Sequence, residues 1–164
     1  MYDYGIFLNY CDGANVIEDN TIYAPDISTG IYLYYCQATS GNEATIANNL
    51  ISVEDKGIFL NSNNYYQNIY YNSVRARDEY ALYALANNSN NTLKNNIFYS
   101  ANGQAVFINN ISAFPSSDYN DFFSNSGYPI YGAYVNMTLA EWQAYGQDSS
   151  SVSMDPAYDT DSSL

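Results

Sequence analysis

Five aromatic residues recur at nearly constant intervals: Phe7, Tyr32, Phe59, Tyr83 and Phe107. Each is flanked on both sides by apolar residues, as in Ile6-Phe7-Leu8 and Ile58-Phe59-Leu60. On an extended strand the ring then projects to the face opposite its neighbours. Stacked on successive strands, five such rings would make a flat aromatic strip about 19 Å long. Sugars present apolar C–H faces that pack on aromatic rings, so a glycan chain is one ligand for the strip. Packing beneath another protein domain is a second reading. Plain β-propensity with cross-strand stacking is a third.

Other residues invite different chemistry. Arg75 and Arg77 alternate onto one strand face. There they could engage an acidic sugar or steady an enolate-like intermediate. Arg77, however, stands five residues past Asn72, as Glu54 stands five past Asn49. In a repeating chain that offset makes an exposed ion pair the favoured assignment for Arg77. Asp26, Asp55 and Asp78 each lie six residues past Asn20, Asn49 and Asn72. Stacked, with Glu54 and Glu79 nearby, they would offer oxygens to Ca²⁺. Asp is also a favoured turn residue, and turns of unequal length spoil the alignment. No metal site is therefore assigned, and Ca²⁺ stays only a candidate. Cys11 and Cys36 each lie six residues past a glycine, Gly5 and Gly30. The rung spacing of a β-sheet falls within the Cα separation a disulfide allows, so a bond is expected in an exported protein. Stacked free thiols are the alternative.

All of these columns depend on a repeat. One string is Gly5-Ile6-Phe7-Leu8, Gly30-Ile31-Tyr32-Leu33 and Gly57-Ile58-Phe59-Leu60, with degenerate copies at Ala81-Leu82-Tyr83-Ala84 and Ala105-Val106-Phe107-Ile108. Its steps are 25, 27, 24 and 24 residues. A second string places apolar residues three before and two after an asparagine. It runs Ile17-Asn20-Ile22, Ile46-Asn49-Ile51, Ile69-Asn72-Val74 and Leu93-Asn96-Phe98, with a partial copy at Asn120 and Phe122. Apolar residues two apart share one face of a strand, and a fixed period stacks like on like. Asn tolerates a left-handed corner, and stacked amides can hydrogen-bond one repeat to the next. A helix is disfavoured because the 3.6-residue period is missing.

The alternation of Gly-Ile-x-Leu with Ile-x-x-Asn-x-Ile resembles the right-handed parallel β-helix repeat of the pectate-lyase-like superfamily. That group includes pectate lyases, polygalacturonases, alginate epimerases, tailspikes and secreted bacterial surface proteins. The resemblance covers residues 5 to about 123. The run Leu139-Ala140-Glu141-Trp142-Gln143, followed by Gly146-Gln147-Asp148, Ser151 and Asp155-Pro156, is similar to the segment that closes such domains. The resemblance implies an all-β solenoid of about five coils over residues 1–127. Residues 128–164 would form the closing segment, with one short helix from Thr138 to Tyr145. Thr138 as N-cap and Glu141 three residues later make a capping box. The Asp- and Ser-rich tail after Asp155-Pro156 is expected to fray. None of the superfamily's catalytic signatures carries over. Neither the paired aspartates of polygalacturonases nor the Arg-containing segment of pectate lyases is visible.

Composition narrows the function further. The chain of 164 residues holds 20 Tyr, no His, four basic and 17 acidic residues, for a net charge of −13. Such a surface repels phosphate backbones and anionic lipids, so neither nucleic acid nor membrane insertion is expected. Without His there is no His general base and no Ser-His-Asp triad. Met1-Tyr2-Asp3 runs straight into a repeat without a basic or apolar leader, and the chain reads as a piece of a longer protein. The expected function is a non-catalytic module of a secreted or cell-surface bacterial protein, binding a polysaccharide or another protein domain. Two alternatives stay open. One is a fragment of a polysaccharide lyase or glycoside hydrolase, using Tyr and Arg. The other is a structural adhesin or stalk segment.

Overall fold

The structure is a computed structural model and describes residues 3–158. The chain winds as a parallel β-solenoid of about 5 turns, with one short α-helix near the C-terminus. The first coil contains β1 (Tyr4–Asn9), β2 (Val16–Glu18) and β3 (Thr21–Ala24). The second contains β4 (Thr29–Tyr34), β5 (Ala44–Ala47) and β6 (Leu50–Val53). The third contains β7 (Lys56–Leu60), β8 (Gln67–Tyr70) and β9 (Ser73–Ala76). The fourth contains β10 (Tyr80–Ala84), β11 (Thr92–Lys94) and β12 (Ile97–Ser100). The fifth contains β13 (Val106–Ile108), a 3₁₀ turn at Ile111–Ala113, β14 (Ser116–Asp118) and β15 (Asp121–Ser124). After it come β16 (Ile130–Gly132), β17 (Val135–Met137) and α1 (Leu139–Gln143).

Every third strand pairs with its counterpart one coil on, which builds three sheets. The largest runs β1-β4-β7-β10-β13-β16-β17, and only its last pair, β16 with β17, is antiparallel. The other two are five-stranded, β2-β5-β8-β11-β14 and β3-β6-β9-β12-β15. The registers are those expected from the repeat. Ile6, Ile31, Ile58, Leu82, Val106 and Ile130 form one column. Ile17, Ile46, Ile69 and Leu93 form a second, and Ile22, Ile51, Val74, Phe98 and Phe122 a third. From the second coil onward these side chains are buried in one continuous core. Packing is tight enough to dictate small residues. A Cβ on Gly57 would come within 2.0 Å of Val74 Cγ1 and 2.5 Å of the Ala81 carbonyl oxygen.

The corner between the second and third sheets is held by asparagine. Asp19, Asn48, Tyr71, Asn95 and Tyr119 all have positive φ, and each is followed by a ladder residue: Asn20, Asn49, Asn72, Asn96 and Asn120. Asn72 shows the pattern. Its Oδ1 accepts from the backbone N–H (3.1 Å) and the Nδ2 (2.9 Å) of Asn49. Its Nδ2 donates to Ile46 O (2.9 Å), Tyr70 O (3.0 Å) and Asn96 Oδ1 (3.0 Å). Each amide thus does for the corner what a strand ladder does for a sheet.

A carboxylate ends the ladder at the C-terminal side. Asp148, 1% exposed, accepts from Asn120 Nδ2 (2.9 Å) and Ser151 Oγ (2.7 Å) on one oxygen. The other oxygen accepts from Ser117 Oγ (2.8 Å) and Trp142 Nε1 (2.9 Å). The Trp142 ring lies over Gly132, where a Cβ would meet its Cζ3 at 2.6 Å. The Thr138–Glu141 capping box forms as expected and starts α1. The segment after it adds a further rung, because Val152 bridges Asp121 in parallel. The tail expected to fray is docked as far as the structure describes it: the Tyr158 hydroxyl lies 2.6 Å from Ser73 Oγ, and its ring packs on Tyr99. Met1, Tyr2 and the tail from residue 159 onward lie outside the described residues.

Asn72→Leu removes one acceptor and one donor from this ladder and strands the Asn49 N–H and the Ile46 carbonyl in the interior. The loss should be about 2–6 kcal/mol, since each of the two orphaned buried groups costs about 1–3 kcal/mol. Urea unfolding followed by circular dichroism measures it. A midpoint equal to that of the parent would show that the ladder does not support the fold.

Candidate functional site

The outward face of the largest sheet carries the aromatic strip. Phe7, Tyr32, Phe59, Tyr83 and Phe107 stand directly opposite one another on neighbouring strands, and Tyr131 adds a further ring. Centroids of successive rings are 5.2, 4.9, 4.8, 4.6 and 4.7 Å apart. The strip is therefore continuous, but it is not flat. Interplanar angles run from 9° between Phe107 and Tyr131 to 88° between Tyr32 and Phe59. Both stacked and edge-on pairs occur along it, at centroid separations typical of favourable aromatic contacts.

A second outward column runs beside the first: Tyr4, Thr29, Lys56 and Tyr80. Tyr4 packs on Phe7 and Tyr32 at 5.1 and 4.9 Å. Tyr80 stacks on Tyr83 at 4.9 Å with an interplanar angle of 15°. Between these two tyrosines the column holds only Thr29 and Lys56, and the ring stack beside them turns edge-on. A pocket of about 270 Å³ opens at that break, lined by Tyr4, Tyr32, Phe59, Asp55, Lys56 and Asn61, among others.

The polar groups of the pocket are partly committed. Asn61 Nδ2 donates to the Tyr32 hydroxyl at 2.5 Å. Lys56 forms an ion pair with Glu79 and holds its ammonium 6.0 Å from the Phe59 ring centre and 5.5 Å from that of Tyr83. Burial pushes the Asp55 carboxyl above its usual range, Glu79 adds to the rise, and Lys56 opposes it. The larger hollow, of about 420 Å³, lies at the asparagine corner near Tyr119 and Asp121, well away from the strip.

The remaining candidate residues separate into different settings. Arg77 pairs with Glu54, as their shared offset requires, and also with Asp78 at 3.2 Å. Arg75 is 4% exposed, packs over Tyr99, and donates to Ser52 Oγ at 3.4 Å. It is thus a buried residue of the third sheet and not a surface receptor for an acidic sugar. Asp78 is bonded to Asn102 and Arg77, and both hold its carboxyl below the usual range. Among the described residues, no group of three or more His, Cys, Asp or Glu side chains is close enough to hold a metal ion. Asp26, Asp55 and Asp78 therefore do not converge. Cys11 and Cys36 sit one coil apart, but the structure holds both as free thiols rather than as the expected disulfide. Each Sγ faces a main-chain carbonyl instead, Asn9 O at 3.6 Å and Tyr34 O at 3.7 Å.

A family model described as "Right handed beta helix region" matches residues 1–141. This chain belongs to that family. The handedness left open by strand pairing alone is thereby given, and the β-helix is right-handed. No curated protein and no solved structure matches it significantly. Among the described residues of this β-helix, no helix is long and apolar enough to cross a membrane.

The strip also has an alkaline signature. Burial raises the Tyr83 phenol above its ordinary value and Glu79 adds to the rise; Tyr80 is raised by burial, then by Tyr83 and Glu79. A raised folded value means the proton is held more tightly in the folded state. This contribution to stability is complete below the ordinary tyrosine value of about 10 and is lost as pH climbs through the folded values. Phenolate absorbance of the native protein should therefore show a late-titrating fraction that disappears in urea. In Glu79→Gln that fraction should titrate earlier. A native curve superimposable on the urea curve would contradict the burial assigned to the strip.

Proposed function

We propose that this β-helix is a non-catalytic glycan-binding module of a secreted or cell-surface protein, and that the aromatic strip is its binding face. The observation that carries this reading is the unbroken run of rings from Phe7 to Tyr131 along the outward side of one sheet. A polysaccharide is itself a repeating chain and can lie along such a run, one C–H face after another. The strip pairs apolar rings with nearby hydroxyl, amide and carboxylate groups, the mixture a sugar ring requires. Within this chain, the total lack of His and the burial of Arg75 remove the groups most often used for proton transfer or enolate stabilisation.

Affinity electrophoresis through gels containing neutral or acidic polysaccharides tests the proposal. The parent should be retarded by at least one glycan, and a Tyr32→Ala/Phe59→Ala/Tyr83→Ala variant should lose about tenfold or more of that affinity. Full retardation of the variant, or none of the parent by any glycan, overturns glycan binding at the strip. The latter result would leave packing against a protein domain, or a stalk role, as the use of this face. Release of sugar products during the run would instead favour an enzyme.

A further inference from the structure

We infer that the pocket at the Tyr32–Phe59 break is the specificity subsite of the strip, and that it selects a neutral pyranose unit over a uronate. This rests on the glycan-binding reading above. Elsewhere the strip offers rings without direction. Here three features coincide. The ring planes of Tyr32 and Phe59 meet at 88°, so a sugar resting against both rings from the pocket side touches one by its face and the other by an edge. The neighbouring column has no ring at Thr29 or Lys56, so space exists beside that corner. Asp55, half-buried, lines the space, and no hydrogen bond among the described residues ends on its carboxylate.

A desolvated carboxylate with free acceptor oxygens is suited to two vicinal hydroxyls of one sugar, each donating a charge-assisted hydrogen bond. Asn61 and the Tyr32 hydroxyl, already bonded to each other at 2.5 Å, form a second polar wall fixed in orientation. The volume, about 270 Å³, lies just under the roughly 300–1,000 Å³ of pockets that enclose drug-sized ligands, which suits one sugar ring and not several. The charge balance sets the class. Among the described residues, Lys56 is the one cation lining the pocket and is paired with Glu79, while Asp55 stands beside them. Glu79 already adds to the cost of ionising Asp55 at this place. A sugar carboxylate would add a third negative charge, whereas hydroxyls meet acceptors.

Isothermal titration against gluco-, manno- and xylo-oligosaccharides and against oligogalacturonate reads the selection directly. The parent should bind at least one neutral oligosaccharide about tenfold or more tightly than oligogalacturonate. Raising the salt concentration should narrow that gap, because the repulsion is partly exposed to solvent and is screened. Asp55→Asn should lose roughly tenfold or more for the neutral ligand, and its preference over oligogalacturonate should largely vanish. The substitution removes a carboxylate whose ionisation opposes folding, so its melting temperature should not fall below that of the parent. Glycan binding with an unchanged preference in Asp55→Asn, or a parent that prefers oligogalacturonate, overturns the subsite and leaves the strip reading intact. Absence of binding to every oligosaccharide overturns both.

Discussion

At the corner leading into the third sheet, each coil turns through one residue in the left-handed region and then sets down an asparagine. This bonded corner fixes the rest of the molecule. An amide side chain reaching both the preceding and the following coil holds neighbouring coils at sheet spacing and in one register. Once that register is set, every other column follows: aliphatic residues stack inward, aromatic residues stack outward, and small residues fall where coils approach most closely. A slip by one residue would turn the rings into the core and the Ile and Leu columns into solvent. Cost at the corner is therefore cost everywhere.

The same logic explains how the solenoid closes. Another asparagine beyond Asn120 would extend the ladder, but Asp148 and Ser151 take its place. A carboxylate only accepts, so it satisfies the donors of Asn120, Ser117, Ser151 and Trp142 without offering a donor to a further coil. Trp142 then lies across the end of the core above Gly132. The helix is a minor element in length, yet its capping box places that one ring. The chemistry of the ladder decides where it stops.

Much of this could be read from residue spacing, and the failures have physical reasons. Gly-Ile-x-Leu and Ile-x-x-Asn-x-Ile each encode a strand face and an offset, and equal offsets became equal rungs, as with Arg77 over Glu54. Tyr131 was legible in principle, since it stands 24 residues past Phe107 in Ile130-Tyr131-Gly132. A second amide ladder, Asn64 with Asn88, and a third, Gln67 with Asn91, were not. They span few coils, and Cys36 occupies the place in the preceding coil that an asparagine would mark, its N–H donating to Asn64 Oδ1. The pocket was also hidden. It depends on ring tilts and on the contrast between Tyr4, Tyr80 and the smaller or flexible residues between them, and neither follows from period alone.

Position along the solenoid matters to the strip as much as chemistry does. In a repeat protein, each coil is stabilised chiefly by its neighbours. Ile6, Leu8 and Ile22 of the first coil are only partly buried, and Phe7 is half exposed. Tyr32 and Phe59 instead stand on β4 and β7, whose inward residues Ile31, Leu33, Ile58 and Leu60 are at most 1% exposed. The edge-on junction between them is therefore held from beneath by fully buried core residues. A ring arrangement that must discriminate between ligands has to resist relaxing around each of them. The buried residues beneath Tyr32 and Phe59 provide that resistance.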